Sequence, residues 1–302
     1  MLHQNSDNIN TSDEINVNFI GAVRELKISK LLGKCGIRKT ARKIDGETSS
    51  EKRTAFEIFQ FLVLMVFQGS NLYRFLGSKK QDIACSKSTY HRFLNDCHYN
   101  WRRFITLLAS AVIDRIDPLT ENSRFKAFVL EDSVIGRKRS KRVELLAFVF
   151  DHVIGMLKDN RQFYHYRGKL MNLRTLAAHH VRMVGDSNML GSVIVRTRKF
   201  SIPVKLVFVR NRNSRNEYII ILSTDCSLSD EEIVRRYSYR WQIECCFKVC
   251  KSLLKLGKEF QPVNYDTTVS TTALVFSRFI ILEWLRRKNN DWKTMGELFF
   301  YI

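Results

Sequence analysis

Apolar residues recur at three- and four-residue steps through most of positions 16–117, in segments such as IGAVRELKISKLLGKCG and STYHRFLNDCHYNWRRFITLLASAVIDRI. That spacing places them on one face of a helix and predicts a helical region throughout. Two shorter helices are expected within 85–116. The most apolar run, FEIFQFLVLMVFQ at 56–68, is interrupted by Glu57 and Gln60. It falls well short of the roughly 20 residues that span a bilayer, so a buried helix is expected there and no membrane segment. Residues 1–15 are polar, with neither periodicity nor a signal-peptide pattern, and are expected to be disordered. DPLTENSR, 117–124, carries one of only three prolines in the chain and predicts a linker.

Beyond the linker the pattern changes. FKAFVLED, 125–132, is a short apolar run closing on acids, the mark of a buried strand. GRKRSKR follows, five basic residues in seven. Alternating segments at 193–212 and 217–225 predict antiparallel strands joined by the polar NRNSRN turn. Next comes RRYSYRWQIECCFKVCKSLLKL, preceded by Ser229 with Glu232 three residues on, a capping-box pattern that predicts one helix running through the whole stretch. A second apolar helix is expected at 269–286. The chain closes on the apolar MGELFFYI, which reads as a shortened C-terminal segment over 287–302.

On that late helix Ile243, Cys246, Cys250, Leu253 and Leu254 share an apolar side. Tyr237, Arg240, Glu244 and Lys251 fall within roughly 60° of one another on a different side. By itself such a stripe reads first as a solvated face with an ordinary Arg240/Glu244 helical pair.

Composition narrows the choice. The chain has 302 residues, 45% of them hydrophobic, enough for about two domains with real cores. Fifty Lys and Arg against thirty Asp and Glu leave a formal charge of +20, which suits a polyanionic partner, nucleic acid first. The seven cysteines have no paired CxxC spacing and suggest reduced thiols in a cytoplasmic setting, with Cys245, Cys246 and Cys250 as packing residues. The basic stretch 86–104, with Ser86 and Ser88 as possible caps and with Tyr90, His91, Arg92, Arg102 and Arg103, suits a helix laid in a DNA groove. A plain bundle with a basic surface fits it equally well. His179 and His180 read as a surface pair, because adjacent helical residues point apart.

An acid ending a buried strand, a basic loop beside it and a second acid flanked by Arg and Lys suggest metal-dependent phosphoryl transfer on nucleic acid. Carboxylates hold the divalent ions, and cationic side chains grip the phosphates.

Tyr237, Arg240, Glu244 and Lys251, spaced Y-x2-R-x3-E-x6-K, together with LEDSVIGRKRSKRVELLAFVFDHV, VKLVFVRNRN and KEFQPVNYD, resemble the DDE transposases encoded by bacterial insertion sequences. The resemblance runs over about residues 15–302. It implies an α+β protein: a helical DNA-binding region, 16–117, then a ribonuclease H-like catalytic core, 125–286, with a β-rich insertion at about 190–225. By position Asp132 and Glu244 match two catalytic, metal-binding acids. Tyr237, Arg240 and Lys251 match residues that hold DNA near the cleaved end, and the basic loop Arg137, Lys138 and Arg139 adjoins Asp132. Two Mg2+ (or Mn2+) ions, double-stranded DNA (element terminal inverted repeats and target) and a homodimer on DNA are further implications. The family also needs an Asp between Asp132 and the late signature. After FVFDHV this sequence passes almost directly to IGMLKDN, so an internal deletion near residue 153 and an incomplete core are expected. Asp151, Asp159 and Asp225 each follow an apolar run, yet none lies in matching text. Two alternatives remain: a catalytically silent DNA-binding derivative, and a general basic RNA-binding protein, which accounts for the charge alone.

Overall fold

In a computed structural model of the chain the described residues are 17–38, 54–68, 87–120, 152–157, 162–183, 187–212, 214, 217–260, 264–289 and 293–301. In chain order they form α1 (17–25), α2 (Ile28–Lys34), α3 (Ala55–Leu64), α4 (Lys87–Asn95) and α5 (Trp101–Ile116). Then come β1 (Ile154–Leu157), β2 (Phe163–Tyr166), β3 (Lys169–Asn172), α6 (Leu173–His180), β4 (Met189–Thr197), β5 (Pro203–Arg210) and β6 (Tyr218–Ser223). Helices α7 (Asp230–Ser238), α8 (Trp241–Ser252), α9 (Tyr265–Lys288) and α10 (Met295–Tyr301) complete them. The fold is α+β. Two compact units divide the chain, one of Met1–Lys126 with Cys245–Ile302, the other of Ala127–Glu244. Residues 245–286, assigned above to the same core as 125–244, thus cluster with the N-terminal helices. The expected strand 125–132 and the basic loop after it lie outside the described residues.

The helical unit is organised around α9. Ala273, Leu274, Val275, Ile281 and Leu282 pack with Phe59 and Leu62 of α3, Leu94 of α4 and Phe104 and Leu108 of α5 in one apolar cluster. Phe59 meets Phe104 edge-on at 5.4 Å between ring centroids, and Trp101 meets Phe93 likewise at 5.5 Å. Three of its helices begin where the sequence supplies a cap. Thr54 and Glu57 form a reciprocal capping box before α3, Asn100 accepts the Arg103 amide before α5, and Asn264 accepts the Thr267 amide before α9. By length and composition alone α9 could cross a membrane, a candidate the run at 56–68 did not reveal. Yet 56% of its most apolar window is buried within this unit. Its buried hydroxyls are satisfied: Ser270 donates to the Leu94 carbonyl on α4 at 2.8 Å, and Ser277 to that of Ala273 one turn back at 2.7 Å.

One interior residue of α9 is a cation. Arg278 is fully buried and spends all five guanidinium N–H donors. Two reach the carboxylate of Glu259, at 2.5 and 3.0 Å, and three reach the carbonyls of Leu62, Val63 and Leu254. Glu259 is itself 2% exposed, so the pair is sealed from water. The sequence reading did not single out either residue.

The second unit holds a six-stranded sheet in the order β1-β6-β5-β4-β2-β3, antiparallel at every pairing. The segment 193–212, read above as alternating, is itself most of a hairpin. Thr197 and Ile202 close its turn through an amide-to-carbonyl bond of 2.9 Å. Alternation sends Val193, Val195, Val204, Leu206, Phe208, Ile220 and Leu222 to one face, where Leu173, Leu176 and Ala177 of α6 cover them. Val207, Val209 and Ile221 take the other face and pack on Ile233 of α7. Strands β1 to β3 were not anticipated. Each of those strands has only four residues, too few to show a period. A bulge in β4 falls at Gly191, where φ is 143° and an added Cβ would sit 2.2 Å from the His180 carbonyl oxygen, so only glycine fits.

Candidate functional site

Ser229 caps α7 as expected, its hydroxyl accepting the Glu232 amide at 3.1 Å. The reciprocal half of the capping box is missing because the Glu232 carboxylate is drawn to cations further along. Both its oxygens take Arg235, at 2.7 and 2.8 Å, and one also accepts from Arg236. These hydrogen bonds lower its pKa to about 2.

The single helix expected from Ser229 through residue 256 is two helices, α7 and α8. Between α7 and α8 the amides of Arg240, Gln242 and Ile243 bond to carbonyls three residues back, those of Tyr237, Tyr239 and Arg240, at 3.0–3.1 Å. That tightened turn replaces the four-residue ladder and re-aims the chain between Tyr237 and Glu244. Three members of the stripe, Tyr237, Arg240 and Glu244, nevertheless stay in touch. Arg240 donates to Glu244 Oε1 at 2.7 Å, and its guanidinium lies 5.9 Å from the ring centroid of Tyr237. Both side chains of the ion pair are 36% exposed, so the group faces solvent while Tyr237 rests against the apolar cluster around Ile233. Lys251 follows seven residues after Glu244 on α8, its ammonium 5.8 Å from the Phe247 ring centroid. Cys250 and Leu254 are buried, as the apolar side predicted.

Asp132, Arg137, Lys138 and Arg139 lie outside the described residues, as do Asp151 and Asp159. Asp225 is described, and its carboxylate serves the turn after β6. It accepts the Ser227 amide at 3.0 Å and the Ser227 hydroxyl at 2.5 Å, bonds that hold its pKa below the usual carboxylate range. Glu244 is therefore the one expected metal-binding acid among the described residues, and Arg240 already occupies one of its oxygens. No cluster of three or more metal-capable side chains there includes it. Among the described residues, one carboxylate paired to an arginine does not by itself make a two-ion site.

The basic stretch 86–104 is not one helix. α4 ends at Asn95, and Asp96 to Asn100 form a connection before α5. Ser86 lies outside the described residues, and Ser88 is inside α4. Arg102 donates to the Tyr265 hydroxyl. His179 is exposed, but its neighbour His180 is half-buried against the edge of Tyr166 at 5.2 Å, its Nε2 without a partner. Burial lowers the His180 pKa. The expected surface pair is thus one surface residue and one packed residue, because α6 ends against the sheet.

Residues 91–277 match the family described as the transposase DDE domain. The chain belongs to this transposase family. A relative, the transposase for insertion sequence element IS1151 of Clostridium perfringens, is 32% identical over 101 residues, covering 30% of this chain. The matched stretch spans only 21% of that relative's length. For DDE transposases the expected chemistry is DNA cleavage and strand transfer with divalent metal ions, and the expected core is ribonuclease H-like. The described sheet contains the expected β-rich segment, 190–225, within its strands β4 to β6.

Proposed function

We propose that this chain derives from an insertion-sequence transposase and retains recognition of DNA ends while lacking strand cleavage. The observation that carries the reading is the direct Arg240–Glu244 contact beside Tyr237, within residues that match a transposase DDE domain. Arg240 and Lys251 bind phosphates next to the end of the element, and Tyr237 packs there or donates its hydroxyl. Arg137, Lys138 and Arg139 add further phosphate-binding cations, and the net charge of +20 draws duplex DNA to the chain. Asp132 and Glu244 remain from a set of three acids, of which the Asp between them was lost with the segment near residue 153. Two carboxylates without the third cannot hold two ions in line with the scissile phosphodiester, so cutting falls by orders of magnitude. The helical region 16–117 contributes further DNA contacts, and the chain acts on DNA as a homodimer in the bacterial cytoplasm.

The test is a purified full chain with duplexes ending in the terminal inverted repeats of its own element. Salt-dependent binding, weakened by Arg240→Ala and Lys251→Ala, is expected with no product in Mg2+ or Mn2+. Nicking at the ends, abolished by Asp132→Ala or Glu244→Gln, would show an intact acid set and restore an active transposase. Equal affinity for unrelated RNA would favour the general RNA-binding alternative.

A further inference from the structure

The connection between α4 and α5 gathers three different metal-capable donors. Asp96 Oδ1 lies 3.0 Å from Nδ1 of His98, and Cys97 Sγ lies 3.6 Å from the same nitrogen. All three ligand atoms fall within 4.8 Å of one another, the one such group among the described residues. Asp96 is held in place: its side chain is 13% exposed, and Oδ1 also accepts the His98 amide at 3.0 Å. His98, at 80% exposed, is free to adjust. The group opens onto a cavity of about 310 Å³ that Arg102 and, from the first turn of α9, Tyr265 and Asp266 also line. Trp101, 3% exposed, lines the same cavity, and its buried indole N–H has no acceptor.

We propose that Asp96, Cys97 and His98 form a zinc site, its fourth position turned to this cavity and completed by water. Tetrahedral zinc with Zn–N near 2.0–2.1 Å and Zn–S near 2.3 Å sets nitrogen and sulfur about 3.6 Å apart, and nitrogen and oxygen about 3.3 Å apart. The first spacing is already present, and the second needs a shift of a few tenths of an ångström in a mobile imidazole. On binding, Cys97 gives up its thiol proton to solvent and His98 coordinates through unprotonated Nδ1, exchanging its hydrogen bond with Asp96 for a shared ion. A sulfur and an imidazole ligand select zinc over magnesium. This site is therefore separate in place and in chemistry from any ion at Glu244, and it does not rest on the DNA reading. Bound metal would fix the connection from which α5 starts, next to the N-terminus of α9.

Cobalt(II) titration of the reduced full chain tests this, because a thiolate ligand gives a near-ultraviolet charge-transfer band and tetrahedral geometry gives strong visible bands. The wild type should show both, and zinc should remove them. Cys97→Ser should lose the charge-transfer band and His98→Ala should weaken binding more than tenfold. Cys246→Ser with Cys250→Ser should keep the spectrum. Both Cys97 and His98 are exposed, so unchanged far-ultraviolet circular dichroism is expected and serves as the folding control. No thiolate band in the wild type, or a band surviving in Cys97→Ser, overturns the proposal.

Discussion

The two units each contain an arginine–glutamate pair, and the pairs could hardly be more different. Arg278 and Glu259 in the helical unit are 0% and 2% exposed, whereas Arg240 and Glu244 in the sheet unit are each 36% exposed. The buried pair stands on full satisfaction of its donors, three of them by carbonyls at helix ends that would otherwise be orphaned. The exposed pair has water for an alternative and contributes little to the fold. A side chain left this loosely held can exchange its partner for a phosphate. The same chemistry is thus structural where water is excluded and available for binding where it is not.

Removing one partner of the buried pair should have the largest effect. Glu259→Ala leaves an uncompensated guanidinium in the core and should cost about 3–5 kcal/mol of stability, read from urea unfolding followed by circular dichroism. A loss below about 1 kcal/mol would mean that water reaches Arg278 and would erase the contrast. Next in size, Gly191→Ala forces a methyl into the His180 carbonyl and should destabilise the sheet unit by about 1–3 kcal/mol in the same measurement. An unchanged midpoint would show that β4 can shed its bulge. Ser229→Ala removes the cap of α7 and should cost about 1 kcal/mol.

The smallest expected changes sharpen the comparison from the exposed side. Arg240→Ala should alter stability by less than about 1 kcal/mol while weakening DNA binding, a split that an equal loss in both would contradict. Glu232 supplies a pH signature. Its folded pKa of about 2 lies below its ordinary value of 4.5. The contribution of its bonds to Arg235 and Arg236 is therefore fully present above about 4.5 and disappears as pH falls towards about 2. Glu232→Gln should flatten part of the loss of stability across that window, and an unaltered acid limb would remove Glu232 as its source.

Periodicity and capping chemistry are local, and what they determine was legible in the sequence. The apolar run at 56–68 marked α3, Ser229 started α7, and the alternation near 193–212 and 217–225 marked antiparallel strands. The spacing of Tyr237, Arg240, Glu244 and Lys251, with its flanking text, pointed to the transposase family that residues 91–277 match. Tertiary structure alone decided which of these charged groups lose water. Arg278 and Arg240 both follow helical patterns in the sequence, and only packing by residues far along the chain, Leu62, Val63 and Glu259, buries the first. It also decided that the stripe bends at Tyr239 and Arg240, since three-residue bonding differs little in local energy from a continuous helix. The gathering of Asp96, Cys97 and His98 is likewise a product of the turn between two packed helices, for three adjacent residues carry no periodic signal of where their side chains converge.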